Sequence, residues 1–565
     1  IKLNILGRPG RKSLLLLVFI SYDPSILQSS DPAKLAREME SEASPIVIVL
    51  LPVLVTLSLI LLASQIILRT KKEKKLGLPP GPRKLPIIGN LHQLAAGRSS
   101  SLPHRRLRDL ARQYGPDMMH LQLGETSNVV VSSPELARAF LKTHDRNFAT
   151  RPTLPSATII FYNARDIAFA PYGEYWRQMR KICSLELLSA KRVSSLRPIR
   201  EEEVGKLVMG LMMGSDPQRP GEGVNLGRLL GSLSCTITSR ATFGKIQDLE
   251  ESFLSVQRRI MKALGEFAVG DVFPSSWLLR TITGTERRLK KLHREADVIL
   301  QGIIDEHVSR GGRSGSETAL LLDHDDDGRD LVDVLLSFTH GDQVVLGFTL
   351  THVEIKAVIM DIFFGAIDTS AVTVEWAMSE LMKNPEEMEK AQKEVRRVFD
   401  GKGKVVDEAS LDELPYLKSI VKETFRLHPP APLLVPRESR ETIVINGYQI
   451  PAGTKVLINA WAIGRDPTHW HEPDKFIPER FLNNSINYEG DNFQFIPFGA
   501  GRRVCPGIKS GSLVVHLTLA NLLYHFDWML PNQMKSQALD MSEVFGISIH
   551  KKYDLHLIPI PYQAP

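Results

Sequence analysis

Ten residues near the C-terminal end constrain this chain more than any other stretch. Phe498-x-x-Gly501-x-Arg503-x-Cys505-x-Gly507 fixes five positions of ten, inside the longer run Pro497-Phe498-Gly499-Ala500-Gly501-Arg502-Arg503-Val504-Cys505-Pro506-Gly507. One cysteine is presented on a glycine-rich loop with two arginines just ahead of it. A thiolate held as a metal ligand needs backbone amides near its sulfur, and glycines at 501 and 507 let the main chain approach. Guanidiniums beside it, Arg503 above all, suit anionic groups. The bland alternative is a buried free cysteine in a turn, which motifs elsewhere in the chain make the weaker reading.

The chain has 565 residues, 43% of them hydrophobic, and no repeat at a fixed period, so one large domain with appendages is expected. Cys183, Cys235 and Cys505 are too few and too scattered for a disulfide framework or a zinc cluster, which points to a reducing compartment. From Ile46 to Leu68 there are 23 residues without a charge, enough to cross a hydrocarbon core of about 30 Å at about 1.5 Å per residue. Arg69, Lys71, Lys72, Lys74 and Lys75 follow this stretch while Glu40 and Glu42 precede it, so the C-terminal bulk is expected in the cytosol. A cleaved signal peptide would have a shorter apolar region and a small-residue cleavage site in place of lysines.

Of the net charge of +6, residues 1–38 carry +3, residues 39–68 carry −2 and residues 69–75 carry +4, leaving +1 for 76–565. With no basic stripe of interleaved aromatics, the bulk of the chain has no nucleic-acid signature. Residues 1–38, which open on Ile1, read as an upstream extension before a start at Met39; a disordered targeting leader is the alternative. Residues 39–75 then form the membrane anchor with its basic flank. Residues 76–90, with Leu78-Pro79-Pro80-Gly81-Pro82 unable to continue a helix, form a stiff hinge, and 91–565 the main domain.

Thr351-His352-Val353-Glu354 is a capping-box pattern, and the helix it opens is expected to run to Lys383, ahead of Asn384-Pro385. At its middle lie Phe363, Phe364, Gly365, Ala366, Ile367, Asp368, Thr369 and Ser370. A mid-helix glycine costs about 1 kcal/mol against alanine, so a purpose other than helix stability is implied. Close helix packing with a threonine back-bond is the structural alternative. A second helix is expected from Leu411 to Leu427, with Glu423 and Arg426 on one face, and Phe476-Ile477-Pro478-Glu479-Arg480-Phe481 follows downstream. Trp176 and Arg180 sit one helical turn apart. After Pro436-Arg437, the segments Thr442–Ile445 and Tyr448–Ile450 flank an Asn446-Gly447 turn, a strong hairpin signal. The fold is therefore expected to be mainly α with a small β portion, preceded by one N-terminal transmembrane helix.

From the hinge to nearly its last residue the chain resembles the cytochrome P-450 family. The loop Pro497–Gly507 and Tyr172-Gly173-Glu174-Tyr175-Trp176-Arg177 are closest to its plant A-type microsomal group. The resemblance implies haem b with Cys505 as axial iron ligand, and Arg503, Phe498, Gly499, Trp176, Arg180 and Arg437 around the haem and its propionates. It implies oxygen activation with Thr369 beside the bound oxygen and Asp368 relaying protons, and a structural ion network of Glu423, Arg426 and Arg480. The substrate pocket would include Thr158–Phe161, Phe364, Gly365, Ala366, Leu433, Leu434, Val435 and Phe545, so a small lipophilic substrate of terpenoid or phenolic type is expected. Ala366 stands where the common plant form has glycine, placing one extra methyl at the oxygen groove.

No dinucleotide fingerprint or flavin domain is present, so electrons from NADPH would arrive through a separate NADPH-cytochrome reductase, with cytochrome b5 as a second donor. The implied location is the endoplasmic reticulum membrane, single-pass, with a cytosolic catalytic domain. Two rivals are a haem-thiolate isomerase or dehydratase that uses no O2, and a membrane-tethered haem sensor. The Asp368-Thr369 pair argues against both.

Overall fold

The computed structural model describes residues 77–95, 102–214, 223–244, 247–265, 268–313, 329–339, 349–400, 402 and 406–563. The anchor expected at 39–75, with residues 1–38, lies outside the described residues.

The main helices are α1 (Pro103–Tyr114), α2 (Glu174–Ile182), α3 (Arg197–Gly214), α4 (Leu226–Phe243), α5 (Gln247–Gly265), α6 (Thr285–Arg313), α7 (His352–Lys383), α8 (Pro385–Asp400), α9 (Pro415–Leu427) and α10 (Ile508–His525). The strands are short: β1 (Met118–Leu123), β2 (Thr126–Val131), β3 (Val224–Asn225), β4 (Arg437–Glu438), β5 (Ile443–Ile445), β6 (Tyr448–Ile450), β7 (Lys455–Ile458), β8 (Phe526–Met529), β9 (Glu543–Val544), β10 (His550–Lys551) and β11 (His556–Pro561). The fold is mainly helical with a small β portion. In the largest sheet, of order β1-β2-β7-β4, β2 and β7 run parallel and the outer pairs antiparallel; β7 sets Val456 opposite Arg437.

Local chemistry explains the element ends. Thr351 and Glu354 form the capping box that starts α7, and Asn384 ends it. The Asn446-Gly447 turn joins β5 to β6 with both residues at positive φ, +51° and +78°. The helix expected from Leu411 begins instead at Pro415, and Glu408–Glu413 forms a 3₁₀ turn. Proline disfavours helical backbone in the residue before it, and its missing N–H suits the first helical position, so Pro415 starts α9 rather than lying inside it.

α7 carries the architecture. Ile355, Ile359 and Phe363 in its first half join one hydrophobic cluster with Phe253, Leu300 and Ile303 of α5 and α6. Ala371, Val374, Met378 and Leu381 in its second half join another with Leu417 and Ile420 of α9 and Leu519 and Leu522 of α10. Between them, residues 364–369 are the least buried part of the helix interior, and Gly365 is exposed. α7 is long and apolar enough to span a bilayer by length and composition, but most of that stretch is buried in the fold, as a core helix requires.

Candidate active site

The cysteine loop leads directly into α10. Cys505 lies three residues before Ile508, and its N–H donates to the Phe498 carbonyl at 3.0 Å, closing the loop on itself. Phe498 is wedged between Phe425 and Tyr488, with ring centroids 5.0 and 5.2 Å away. Gly499 and Gly501 adopt φ of +70° and +69°. At 501 a Cβ would meet the Leu141 carbonyl oxygen at 2.0 Å and the Asp145 carboxylate at 3.0 Å. Glycine is therefore required there by packing on Leu141, not by approach to the sulfur as its sequence position suggests. Gly507 does lie at the sulfur, where a Cβ would make an ordinary 3.8 Å contact with Cys505 Sγ.

Burial pushes the Cys505 thiol above its ordinary pKa, while the Gly507 amide and the Arg180 guanidinium act to lower it. Left to itself the group stays a thiol at neutral pH; a coordinated metal ion supplies the charge that removes its proton. Cys505 is half-buried, whereas Cys183 is fully buried and pushed up to about 12 by burial. Of these two, Cys505 is the less buried and has a backbone donor beside its sulfur.

Around the loop, four guanidiniums converge. Arg503 donates from Nε to the Ala149 carbonyl at 2.7 Å and from Nη1 to that of Ile167 at 2.9 Å, and also bonds Ala170. It lies over Trp176 at 4.1 Å, whose indole N–H donates to the same Ile167 carbonyl. Arg180 donates to the Val504 carbonyl at 2.6 Å, tying α2 to the residue before the cysteine. Arg437 pairs with Asp145 at 2.8 Å and donates to the Ala500 carbonyl at 2.6 Å. Arg151, which sequence reasoning missed, donates to the carbonyls of Ala168, Val435 and Pro436.

Burial, then the neighbouring guanidiniums, holds Arg151 well below the usual arginine range, and burial with Arg437 holds Arg503 down to about 9. Buried cations that depress one another mark a place for an anionic group. Two carboxylates of a haem fit that demand, and a half-buried cysteine beside them fits its iron, so the residues present suit haem.

Two further carboxyls, Asp166 and Asp361, are buried beside this cluster and hydrogen-bond each other. Burial raises Asp166 to about 6, and burial together with the Asp166 charge raises Asp361 further, so the pair keeps a shared proton where free carboxyls have lost theirs. Asp361 also accepts from the amides of Ile167 and Ala168 at 2.6 and 3.2 Å, clamping that segment to α7.

The uncovered middle of α7 is drawn towards the start of α10, where a Cβ on Gly511 would sit 3.8 Å from Ser370 Oγ. Thr369 Oγ1 donates to the Gly365 carbonyl at 2.6 Å, the back-bond open to a mid-helix threonine. Asp368, half-buried, points its carboxylate to His550 on β10, with Oδ2 and Nε2 3.6 Å apart. Phe364 meets Phe161 edge-on at 5.4 Å, and Phe169 joins both at 6.0 and 5.1 Å. Ala366 is half-buried beside the exposed Gly365. The bend Leu433–Val435 is half-buried, with Leu434 held at φ +52°, a strained value for a branched residue. Phe545 is exposed in a loop whose Gly546 lies against Gly265 at the end of α5.

Glu423, Arg426 and Arg480 come together in a buried network. Arg426 reaches Glu423 through Nε and Nη2, both at 2.7 Å, and Arg480 Nε adds 2.9 Å. Arg426 also donates to the carbonyls of Gly464, Pro473 and Lys475.

Arg151, Asp145, Phe169 and His550 escaped sequence reasoning because their partners lie far along the chain; Arg151 to Val435 spans 284 residues and Asp145 to Arg437 spans 292. None of them sits in a periodic or capped pattern that would single it out.

A family model described as Cytochrome P450 matches residues 79–557. Cytochrome P450 71D10 of Glycine max is 52% identical over 484 residues, covering 86% of this chain and 91% of that protein. Costunolide synthase of Cichorium intybus is 48% identical, covering 86% of this chain and 93% of its own length. Among solved structures, a zebra fish cytochrome P450 with progesterone superposes with a TM-score of 0.67 at 24% identity, over 81% of this chain and 100% of that one, a likeness of fold alone. The family match over most of the chain, the extended identity to plant relatives and the cysteine loop itself lead to one conclusion: this chain belongs to the cytochrome P450 family, in its plant A-type group, and is a cytochrome P450 monooxygenase.

Proposed function

We propose that this monooxygenase inserts one oxygen atom from O2 into a small lipophilic plant metabolite of terpenoid or phenolic type. Its electrons come from NADPH through a separate reductase, with cytochrome b5 as a second donor. The observation that carries the reading is the uncovered stretch Gly365–Thr369, bounded by the three rings of Phe161, Phe169 and Phe364. Phe169 and Phe364, half-buried, offer apolar ring surface and no charge there, with the fully buried Phe161 packed behind them, which suits a hydrocarbon skeleton or an aromatic ring and disfavours an ionised substrate. The name of the costunolide synthase relative supports the terpenoid arm.

In this reading Cys505 holds the haem iron and Arg180, Arg437 and Arg503 balance the propionates, with Trp176, Phe498 and Gly499 shaping the surrounding cradle. When bound, haem supplies the iron at which O2 is activated. Thr369 turns its hydroxyl from the Gly365 carbonyl into the groove, where it orders a water or the oxygen itself, and Asp368 feeds that position with protons. The Ala366 methyl narrows the groove beside it. Phe161, Phe364, Leu433, Leu434, Val435 and Phe545 form the substrate wall. Residues 39–75 anchor the protein in the endoplasmic reticulum membrane, 76–90 form the hinge, and 91–565 work in the cytosol.

The test is a reduced carbon monoxide difference spectrum, followed by NADPH turnover with purified reductase on substrates found by a binding-spectrum screen of terpenoids and phenolics. Cys505→Ser is expected to lose the thiolate-type spectrum. Thr369→Ala is expected to bind haem and substrate and consume NADPH, but to yield much less product per NADPH, since positioned proton transfer is worth about 100- to 10,000-fold. Product formation that needs no reductase, or a Thr369→Ala enzyme with an unchanged product ratio, contradicts the reading.

A further inference from the structure

A proton donor consumed at every turnover has to be refilled, and the surroundings of Asp368 hold one group suited to that task. Thr369 bends back along α7 to Gly365, but Asp368, one residue earlier and so turned to another face, meets β10, with Oδ2 3.6 Å from His550 Nε2. The side chain of His550 is 39% exposed and that of Asp368 28%, so the imidazole touches solvent on one side and the carboxylate on the other.

The ring is held in place through its neighbours. His550 pairs with Val544 across the β9–β10 ladder. Ile549, just before it, donates its amide to the Pro430 carbonyl and accepts from the indole N–H of Trp376 on α7, both at 3.0 Å. A residue pinned on both sides in this way cannot swing its neighbour far from α7.

The charges facing His550 are Asp368 and Glu375 from α7 and Asp554 just after β10. On its own strand, Lys551 lies over Trp376 and donates to the Asp540 carbonyl. Burial works against a charged imidazole here, but the pairing with Asp368 and the fields of Glu375 and Asp554 outweigh it and raise the His550 pKa above the ordinary histidine value. The group is thus suited to carry a proton near neutral pH.

We propose that His550 is the proton-supply residue for Asp368. The Nε2–H bond breaks, an O–H bond forms at Asp368 Oδ2, and the neutral imidazole takes its replacement proton from bulk water. The net event moves one proton from solvent to the carboxyl without opening the α7 groove. The inference rests on the relay reading of Asp368 and Thr369, and His550 acts through Asp368 as a positioning residue.

The experiment uses the full-length haem-loaded protein in phospholipid nanodiscs and has two arms. In the diamagnetic ferrous carbon monoxide form with labelled histidine, the His550 resonance is identified by its loss in His550→Gln and titrated by NMR. It should titrate above the ordinary value of about 6.5 and move down in Asp368→Asn. In the second arm, substrate-free enzyme with purified reductase is scored for hydrogen peroxide per NADPH between pH 6 and 9, since oxygen short of protons leaves as peroxide instead of going on to water. Wild type should yield more peroxide as pH rises through the His550 pKa, and His550→Gln should give a higher yield, about twofold or more at neutral pH, without that rise.

An ordinary His550 pKa indifferent to Asp368→Asn, or a wild-type peroxide yield and pH profile in His550→Gln, overturns the assignment. Thr369→Ala separates the two levels. If it too leaves the peroxide yield unchanged, the relay reading itself fails; if it raises the yield while His550→Gln does not, only the role of His550 falls.

Discussion

Replacing Glu423 by glutamine removes one charge from a site closed to water while changing little volume. Glu423 is fully buried and accepts from Arg426 Nε and Nη2, from Arg480 Nε and from the Ile477 amide at 2.9 Å. A glutamine has a single acceptor oxygen and turns an NH2 towards a guanidinium, so at most about half of those bonds survive. Arg426, 1% exposed, is left without its counter-charge. Breaking a buried pair from one side costs about 3–5 kcal/mol. At about 2.1 cal/mol/K of unfolding entropy per residue, over the roughly 490 residues of the folded unit, that lowers the unfolding temperature by only about 3–5 °C.

The local effect should be larger. Arg426 holds the carbonyls of Gly464, Pro473 and Lys475, so the same free energy concentrated in that segment corresponds to about 100- to 4,000-fold in an equilibrium or a rate. The assay is haem transfer from the purified protein to a haem-scavenging acceptor, alongside thermal unfolding. Glu174→Gln, at an exposed ion pair with Arg177 on α2, serves as control and should change neither. A Glu423→Gln protein that matches this control in both measurements refutes the idea that the network locks the haem-binding core.

Gly501→Ala should lower the yield of carbon monoxide-reactive protein severely, because its Cβ meets the Leu141 carbonyl at 2.0 Å in a left-handed backbone that already costs about 1–2 kcal/mol, whereas Gly507→Ala, with 3.8 Å of room at the sulfur, should fold. The raised Asp361 carboxyl gives stability that is complete below the unfolded-state pKa of about 4 and is lost as pH rises through its folded value. Asp361→Asn mimics the protonated acid, so it should stay folded at neutral pH and flatten the fall in unfolding temperature between pH 5 and 9; an unchanged slope counts against the shared proton. Removing residues 1–68 should release the protein from the carbonate-resistant membrane fraction with its haem spectrum intact, leaving peripheral binding through the basic cluster that follows.

Much of the fold was legible because it rests on local chemistry. The capping box at Thr351, the stop at Asn384-Pro385 and the Asn446-Gly447 hairpin each depend on residues within a few positions of one another, and the structure has all three. The start of α9 was misread for the same local reason seen from the other side: the apolar pattern continues back to Leu411, but Pro415 sets the boundary. In the site, the cysteine loop was readable as one contiguous motif, and the family it belongs to followed from that loop.

What the linear pattern could not carry was partnership. Arg503 and Trp176 were expected only around the haem propionates, yet both spend hydrogen bonds on the Ile167 carbonyl, because a buried donor takes the nearest backbone acceptor that folding brings to it. Arg151, Asp145, Phe169 and His550 acquire their roles only when segments hundreds of residues apart meet, and Asp361 only when its carboxyl is buried against Asp166. The sequence alone thus determined which chemistry this chain is built for, since a cysteine on a glycine-rich loop and a mid-helix acid-alcohol pair are short-range patterns. The tertiary structure decided which charges face one another and which stretch of α7 stays uncovered, because burial and electrostatic coupling are properties of distance in space, not of distance along the chain.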